Sequence, residues 1–271
     1  MFKLALGAGH GDRTYGKRIP SSLDPNRTSE WWLNDRVCDH IEAILSEYDG
    51  IEILRLDDSD DGYDNVPLLT RVTEANNMPA DFYLAIHHNA GINGGTGGGI
   101  VVYRDPNDNT EETVSWQEDI YEALIAHTGL RGNRSNPMAE ANLYEVTRPN
   151  APAILCELGF MDSVKDAPII LSDWFPLAAA QGIVEVIVKK ADLKKKGRDE
   201  EMLTQEQFNQ MMDVWLKQQG QKPPAAWSQT ARDWAESIGL IAGDGQGNMM
   251  YGAPVTREQL MQFLYRLENE I

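Results

Sequence analysis

Apolar residues along the chain fall into two patterns: short continuous runs, and longer stretches that repeat every three or four positions. FKLALG, IEILRL, DFYLAIH, GIVVYR and APAILCEL are short and rich in Leu, Ile and Val, which marks them as buried strands. In SEWWLNDRVCDHIEAILSEY, Trp32, Leu33, Val37, Ile41, Ile44 and Leu45 recur at helical spacing and give the segment one buried face. Ser29 is placed to cap that helix. Glu30 then falls in its first turn, where the helix dipole favours an anion. VPLLTRVTEANN, EETVSWQEDIYEALIAHTG and WFPLAAAQGIVEVIVKK read as further helices. Strands alternating with helices predict an α/β fold, a mainly parallel twisted sheet flanked by helices on both faces.

The texture changes after Lys190. KADLKKKGRDEE is a charge run without apolar period and reads as a linker or helix end. EQFNQMMDVWLKQQG and WSQTARDWAESIGLIAGDGQGNMMYGAPVTREQLMQFLYRLENEI follow as helical segments broken by a glycine-rich turn. The expected organisation is a first domain over 1–191, a linker over 192–201 and a small all-α module over 202–271.

Composition narrows the function classes. A hydrophobic fraction of 42% over 271 residues is ordinary for a globular protein and allows one sizeable domain plus a small one. The net charge of −18 argues against nucleic acid, whose binders carry a basic footprint. No apolar run approaches the roughly 20 residues of a membrane span, so no membrane insertion is expected. The apolar stretch of MFKLALGAGHGD is too short for a secretory signal, and the chain is expected to be made and left in the cytosol. Cys38 and Cys156 fall on a buried helix face and in a buried strand, as core residues rather than a disulfide framework. The acidic stretch Asp57 to Asn65 lacks the ligand spacing and terminal glutamate of a calcium loop and reads as a solvated loop.

Five histidines could carry chemistry. His40 and His127 lie within helices with no supporting acid pattern and are set aside. GAGHGD after the first strand fails the dinucleotide fingerprint, because Asp12 stands where its last glycine belongs, and it lacks the lysine and hydroxyl of a P-loop. A histidine between glycines at a strand end suits close backbone approach to a bound group. Open α/β sheets place their sites at the carboxyl ends of strands. His10, His87 and Glu157 all fall at such ends, and Glu30 opens the helix after the first loop. Two imidazoles with one carboxylate and an open fourth position form a catalytic zinc set, which leaves the second carboxylate free to act as a base. A structural, ion-paired role for Glu157 is the plain alternative.

LALGAGHGD, SEWW, LLTRVTEANNMPADFYLAIHHNA, GGIVVYR and PAILCELGFMDS occur in the order found in the zinc-dependent N-acetylmuramoyl-L-alanine amidases of the amidase-3 family, which this chain resembles over roughly Met1 to Lys190. The family has GHGG, SIHAN and ELGFLSN where this chain has GHG, IHHN and ELGFMDS. The resemblance implies that His10, Glu30 and His87 are ligands to Zn2+ and that Glu157 is the catalytic acid/base. Glu42 and Glu47, further along the same helix, are the rivals of Glu30. His88 takes the place of the alanine in SIHAN. Alternation along a strand points it away from the metal, to line the groove, face solvent or hydrogen-bond a neighbour. Arg71, Asn76 and Asn89 also match family-like positions, with Arg71 expected to be structural. GINGGTGGG reads as a mobile loop at the same rim or as a plain flexible connection.

The implied reaction is hydrolysis of the amide between N-acetylmuramic acid and the L-alanine of the peptidoglycan stem peptide. GLIAGDG, APVTREQ and LYRL near the C-terminus resemble a surface-layer-homology repeat, a module that commonly binds cell-wall polymers, with Arg257 at its ligand-contact motif. A single repeat implies either binding to a secondary cell-wall polymer or a homo-oligomer. With no evident signal, the whole is expected to be a phage or prophage endolysin lysing a Gram-positive host, made in the cytoplasm and acting on the wall after release. Competing readings are a zinc peptidase cutting within the stem peptide and a wall-binding protein with a structural zinc.

Overall fold

In chain order the elements are β1 (Phe2–Ala8), α1 (Glu30–Leu45), β2 (Tyr48–Asp49), β3 (Ile51–Arg55), α2 (Leu68–Asn77), β4 (Phe82–Asn89), β5 (Val101–Arg104) and α3 (Glu111–Thr128). They continue with β6 (Met138–Glu140), α4 (Tyr144–Thr147), β7 (Ala153–Phe160), α5 (Ala167–Ile170), α6 (Phe175–Lys190), β8 (Lys194–Lys195), α7 (Gln205–Gly220), α8 (Gln229–Ser237) and α9 (Arg257–Asn269). This computed structural model describes residues 1–57, 64–197, 205–220, 222–241, 243, 249–252 and 254–269. Most of the acidic stretch Asp57–Asn65, the end of the expected linker and the Asp244–Gly245 turn lie outside the described residues. The chain divides into two compact units, Met1–Lys196 and Gly197–Ile271.

The first unit is built on a six-stranded sheet of order β3-β1-β4-β7-β5-β6. Its pairings are parallel except β5 against β7, so the mainly parallel sheet expected from the sequence is present. The exception has a simple cause. A parallel return needs a crossover, usually a helix, and the glycine-rich segment between β4 and β5 forms none. β2 and β8 pair separately and antiparallel, which draws part of the expected linker onto the first unit.

Helices cover both faces of the sheet, and side-chain alternation sorts the residues. Leu84, Ile86, Ile154 and Cys156 pack with Val37, Cys38 and Ile41 of α1, Ile120 and Leu124 of α3, and Ile183 and Ile187 of α6. On the opposite face Ala5, Tyr83, Ala85 and Leu155 pack with Val72 and Ala75 of α2 and Val146 of α4. Both cysteines are buried and unpaired. His87, two residues beyond Ala85, belongs to the α2/α4 face, and so does Glu157 beyond Leu155.

Arg71 is fully buried in this second face. Its guanidinium donates to the carbonyls of Ala8 (2.6 Å), His10 (2.8 Å) and Val66 (3.0 Å). These bonds hold the chain just past β1 in the bend that gives His10 a φ of 67°, a conformation His adopts more readily than most residues. Asn76 ties α2 to the approach to β7, donating to Arg148 O and accepting from Asn150 N. Arg71 thus acts on backbone, as a structural residue.

GINGGTGGG is tethered along its length. Asp162 accepts from Gly91 N and Asn93 N, Asn133 accepts from Gly98 N, Asp166 accepts from Gly99 N, and Ser163 donates to Gly97 O. Gly98 and Gly99 serve close approach: a Cβ on Gly99 would sit 2.4 Å from Arg131 O.

In the second unit, α9 opens with a reciprocal capping box. Thr256 N donates to Gln259 Oε1 (2.9 Å) and Gln259 N donates to Thr256 Oγ1 (3.1 Å). Arg257 is the first residue of that helix. Arg266 donates to Gly239 O (3.0 Å) and links α9 to the end of α8. Among the described residues no helix is long and apolar enough to cross a membrane.

Replacing Arg71 with Met leaves carbonyl groups at the end of β1 without donors, at an expected cost of about 3 kcal/mol. Chemical denaturation with chelator present measures this apart from any metal effect. A loss below about 1 kcal/mol contradicts the clamp.

Candidate metal centre

The α1 N-terminus is assembled before the site is. Ser29 caps the helix by accepting from Trp32 N (3.2 Å), and its hydroxyl donates to Asp12 Oδ1 (2.5 Å) in the loop that follows His10. This fixes Glu30, which is 1% exposed, against the ends of β1 and β4. Its Oε1 lies 3.2 Å from His10 Nε2 and 3.1 Å from His87 Nδ1. The two imidazoles meet edge to face, with centroids 5.1 Å apart. His10, Glu30 and His87 each offer one ligand atom, and these atoms lie within 4.8 Å of one another.

The residues present suit a bound cation. Two imidazole nitrogens and a carboxylate oxygen are the donors of a divalent transition metal site. The backbone leaves room for this set only because residue 9 is glycine: a Cβ there would lie 2.1 Å from His87 Cε1. Burial works to raise the Glu30 pKa, yet the hydrogen bonds from His10 and His87 outweigh it and hold the carboxylate well below its usual range. Burial likewise opposes charge on His87, but its bonds to Glu145 and Glu30 prevail and push it up to about 10.

Glu157 is the neighbour of His87 across the β4–β7 pairing. Its Oε2 is buried and has no hydrogen-bond partner among the described residues. Burial is the main influence and pushes its pKa up to about 7, against the pull of His87. His10, Lys17, His87, Tyr144, Glu145 and Glu157 line one cleft of about 370 Å³.

All four residues singled out from the sequence meet here. His88 does not: it lies on the opposite face of β4, where its Nδ1 is 2.7 Å from Asn34 Oδ1. Asn34 in turn donates to Gly9 O (3.1 Å), so its oxygen faces His88 and Nδ1 is the protonated nitrogen. Burial pushes the His88 pKa down to about 3 and keeps the ring neutral. Glu42 lies on α1 with its carboxylate on Arg55, 3.1 Å away, and Glu47 lies beyond the helix end with its carboxylate on Lys195, 2.8 Å away. His127 pairs with Glu185 on the surface.

Two residues of the cleft escaped sequence reasoning. Lys17 places its ammonium 3.4 Å from Glu30 Oε2, and nothing in its loop marks it. Glu145 is 4% exposed and stands 3.2 Å from His87 Nε2. A lone acid inside the apolar stretch NLYEV was the available signal.

Two histidines and a glutamate from the strand ends and Glu30 from the start of α1 thus gather at one rim of the sheet, a set of groups suited to metal-assisted hydrolysis. Residues 4–189 match the N-acetylmuramoyl-L-alanine amidase family, and the chain belongs to it. It is 31% identical over 198 residues to a sporulation-specific N-acetylmuramoyl-L-alanine amidase of Bacillus subtilis (strain 168), covering 72% of this chain and 70% of that protein. It is 26% identical over 198 residues to an endolysin of Bacillus phage SPP1, covering 72% and 69% respectively. The catalytic domain of CwlV, an amidase from Bacillus (Paenibacillus) polymyxa var. colistinus, shares the fold, with a TM-score of 0.61 at 23% identity, over 72% of this chain and 100% of that one.

A Gly9→Ala variant is expected to displace the His87 ring and to weaken divalent-cation binding at least tenfold, in rough proportion to the loss of one oriented ligand. Chelator competition reads the affinity. Unchanged binding contradicts the role of the glycine.

Proposed function

We propose that this member of the amidase family is zinc-dependent, with His10, Glu30 and His87 as the ligands and Glu157 as the catalytic acid/base. The substrate is peptidoglycan, and the bond cleaved joins the lactyl group of N-acetylmuramic acid to the L-alanine of the stem peptide. The observation that carries the reading is Glu157, whose buried Oε2 has no hydrogen-bond partner among the described residues and whose pKa burial pushes up to about 7, beside a convergent ligand set. General acid–base catalysis is most efficient with a group of that pKa.

Zinc, when bound, supplies Lewis acidity, which makes water nucleophilic near neutral pH and draws charge from a carbonyl. Glu157 takes the proton of the attacking water and returns it to the departing nitrogen. The carbonyl carbon gains the oxygen, the C–N bond breaks, and the products are a lactyl carboxylic acid and a free L-alanine amine. Partners outside the ligand set hold two of its members: His88 N (3.4 Å) and the Lys17 ammonium (3.4 Å) meet Glu30, and Glu145 meets the far nitrogen of His87 (3.2 Å).

The catalytic domain is taken as 1–191, with 192–201 as linker and 202–271 as a surface-layer-homology-like module. We assign that module to a secondary cell-wall polymer, with Arg257 at the contact, or to self-association. The similarity to a phage endolysin supports an endolysin acting on a Gram-positive wall after release from the cytoplasm.

Digestion of purified walls tests the reaction. Mass spectrometry is expected to find stem peptides beginning with free L-alanine. Fragments cut within the stem, with the lactyl amide intact, identify a peptidase and overturn the assignment. Glu157→Gln is expected to keep its metal and lose about 10²–10⁴-fold in kcat. His10→Ala is expected to lose the metal itself, read by elemental analysis. Full turnover in Glu157→Gln refutes the catalytic role.

A further inference from the structure

The two nitrogens of the His87 ring point apart, and each faces a carboxylate. Nδ1 is 3.1 Å from Glu30 Oε1, on the side where His10 converges. Nε2 is 3.2 Å from Glu145 Oε2, on the far side. Because one imidazole separates them, Glu145 stands outside the ligand set and behind it. Its other oxygen, Oε1, accepts from the Tyr83 hydroxyl (3.0 Å). Tyr83 lies four residues before His87 on β4 and so shares its face of the sheet. Both Tyr83 and Glu145 are buried, at 0% and 4% exposure. Glu145 reaches this place from α4, a single helical turn whose Val146 packs in the core of the same face.

A buried carboxylate is costly unless its oxygens are satisfied, and these two are satisfied by one hydroxyl and one ring nitrogen. A histidine that coordinates a metal through one nitrogen usually donates its other N–H to such a carboxylate, which fixes the tautomer and the ring angle and raises the basicity of the ligating nitrogen.

We propose that Glu145 is the positioning residue of the metal centre: anchored by Tyr83, it holds His87 with its proton on Nε2 and presents Nδ1 to the cation. This rests on the zinc reading above and extends it to a residue outside the ligand set. Glu145 touches no reacting atom; it acts through His87.

The test is zinc affinity of the full chain, measured by chelator competition on wild type, Glu145→Gln, Glu145→Ala and Tyr83→Phe. Glu145→Gln keeps the shape and an acceptor but removes the charge, and is expected to bind zinc about tenfold more weakly; Glu145→Ala is expected to lose about 100-fold. Tyr83→Phe, which frees one oxygen of Glu145, is expected to lose less than Glu145→Ala. Nitrogen-15 NMR of the zinc-loaded protein gives a second readout: His87 shows a protonated Nε2 in wild type and loses slow exchange of that proton in Glu145→Ala. If Glu145→Ala does not fold, Glu145→Gln and Tyr83→Phe decide the matter, with metal-free melting as the control. Zinc affinities within twofold of wild type in Glu145→Gln and Tyr83→Phe overturn the proposal while the ligand set stands. Wild type binding zinc no better than His10→Ala instead overturns the zinc reading, and this proposal with it.

Discussion

One carboxylate oxygen organises this protein. Glu30 Oε1 touches imidazoles from two strands at once, His10 after β1 and His87 near the end of β4. Neither histidine is near Glu30 in the chain, so the contact exists only if the sheet, the first loop and the start of α1 are each placed to within a fraction of an ångström. Their supports are visible in the same region. Arg71 holds the carbonyls on either side of the bend, Ser29 caps the helix and grips Asp12, and Gly9 leaves room for a ring. Each support is a backbone or packing device, and together they spend fold stability on a cluster of polar groups that would otherwise avoid one another.

Two glutamates flank His87, Glu145 buried and Glu157 half-buried with its Oε2 enclosed, and their surroundings drive them in opposite directions. Burial acts to raise both. Glu145 is pulled back below its ordinary value by the hydrogen bond from His87, whereas Glu157, whose Oε2 lacks a partner, rises to about 7. Environment alone therefore separates a carboxylate suited to hold a ring from one suited to exchange a proton, a division of labour known from other paired acids. His88 shows the same logic from the other side. One residue further along β4 it faces the apolar layer, stays neutral and bonds to Asn34.

Much of this was legible in the chain. The strands carried their own signal in continuous Leu, Ile and Val runs, and α1 in its spacing and Ser29 cap. The rule that sites gather at strand ends brought His10, His87 and Glu157 to one rim, and Glu30 joined them from the turn that follows. What stayed hidden depends on tertiary partners. The direction of β5 follows from a connection too short in structure to carry a crossover helix. The tethering of the glycine segment depends on Asp162, Ser163 and Asp166, far along the chain. Glu145 sits on one turn of helix, too short for periodicity to register, and its meaning lies in Tyr83 and His87, which no local pattern links to it.

X-ray absorption spectroscopy of the protein loaded with one equivalent of zinc tests the convergence of these three donors most directly. The expected spectrum shows two imidazoles and a carboxylate oxygen around the metal, with one imidazole lost in a His87→Ala variant. A zinc ion seen with no imidazole scattering, or with an identical shell in that variant, contradicts the account.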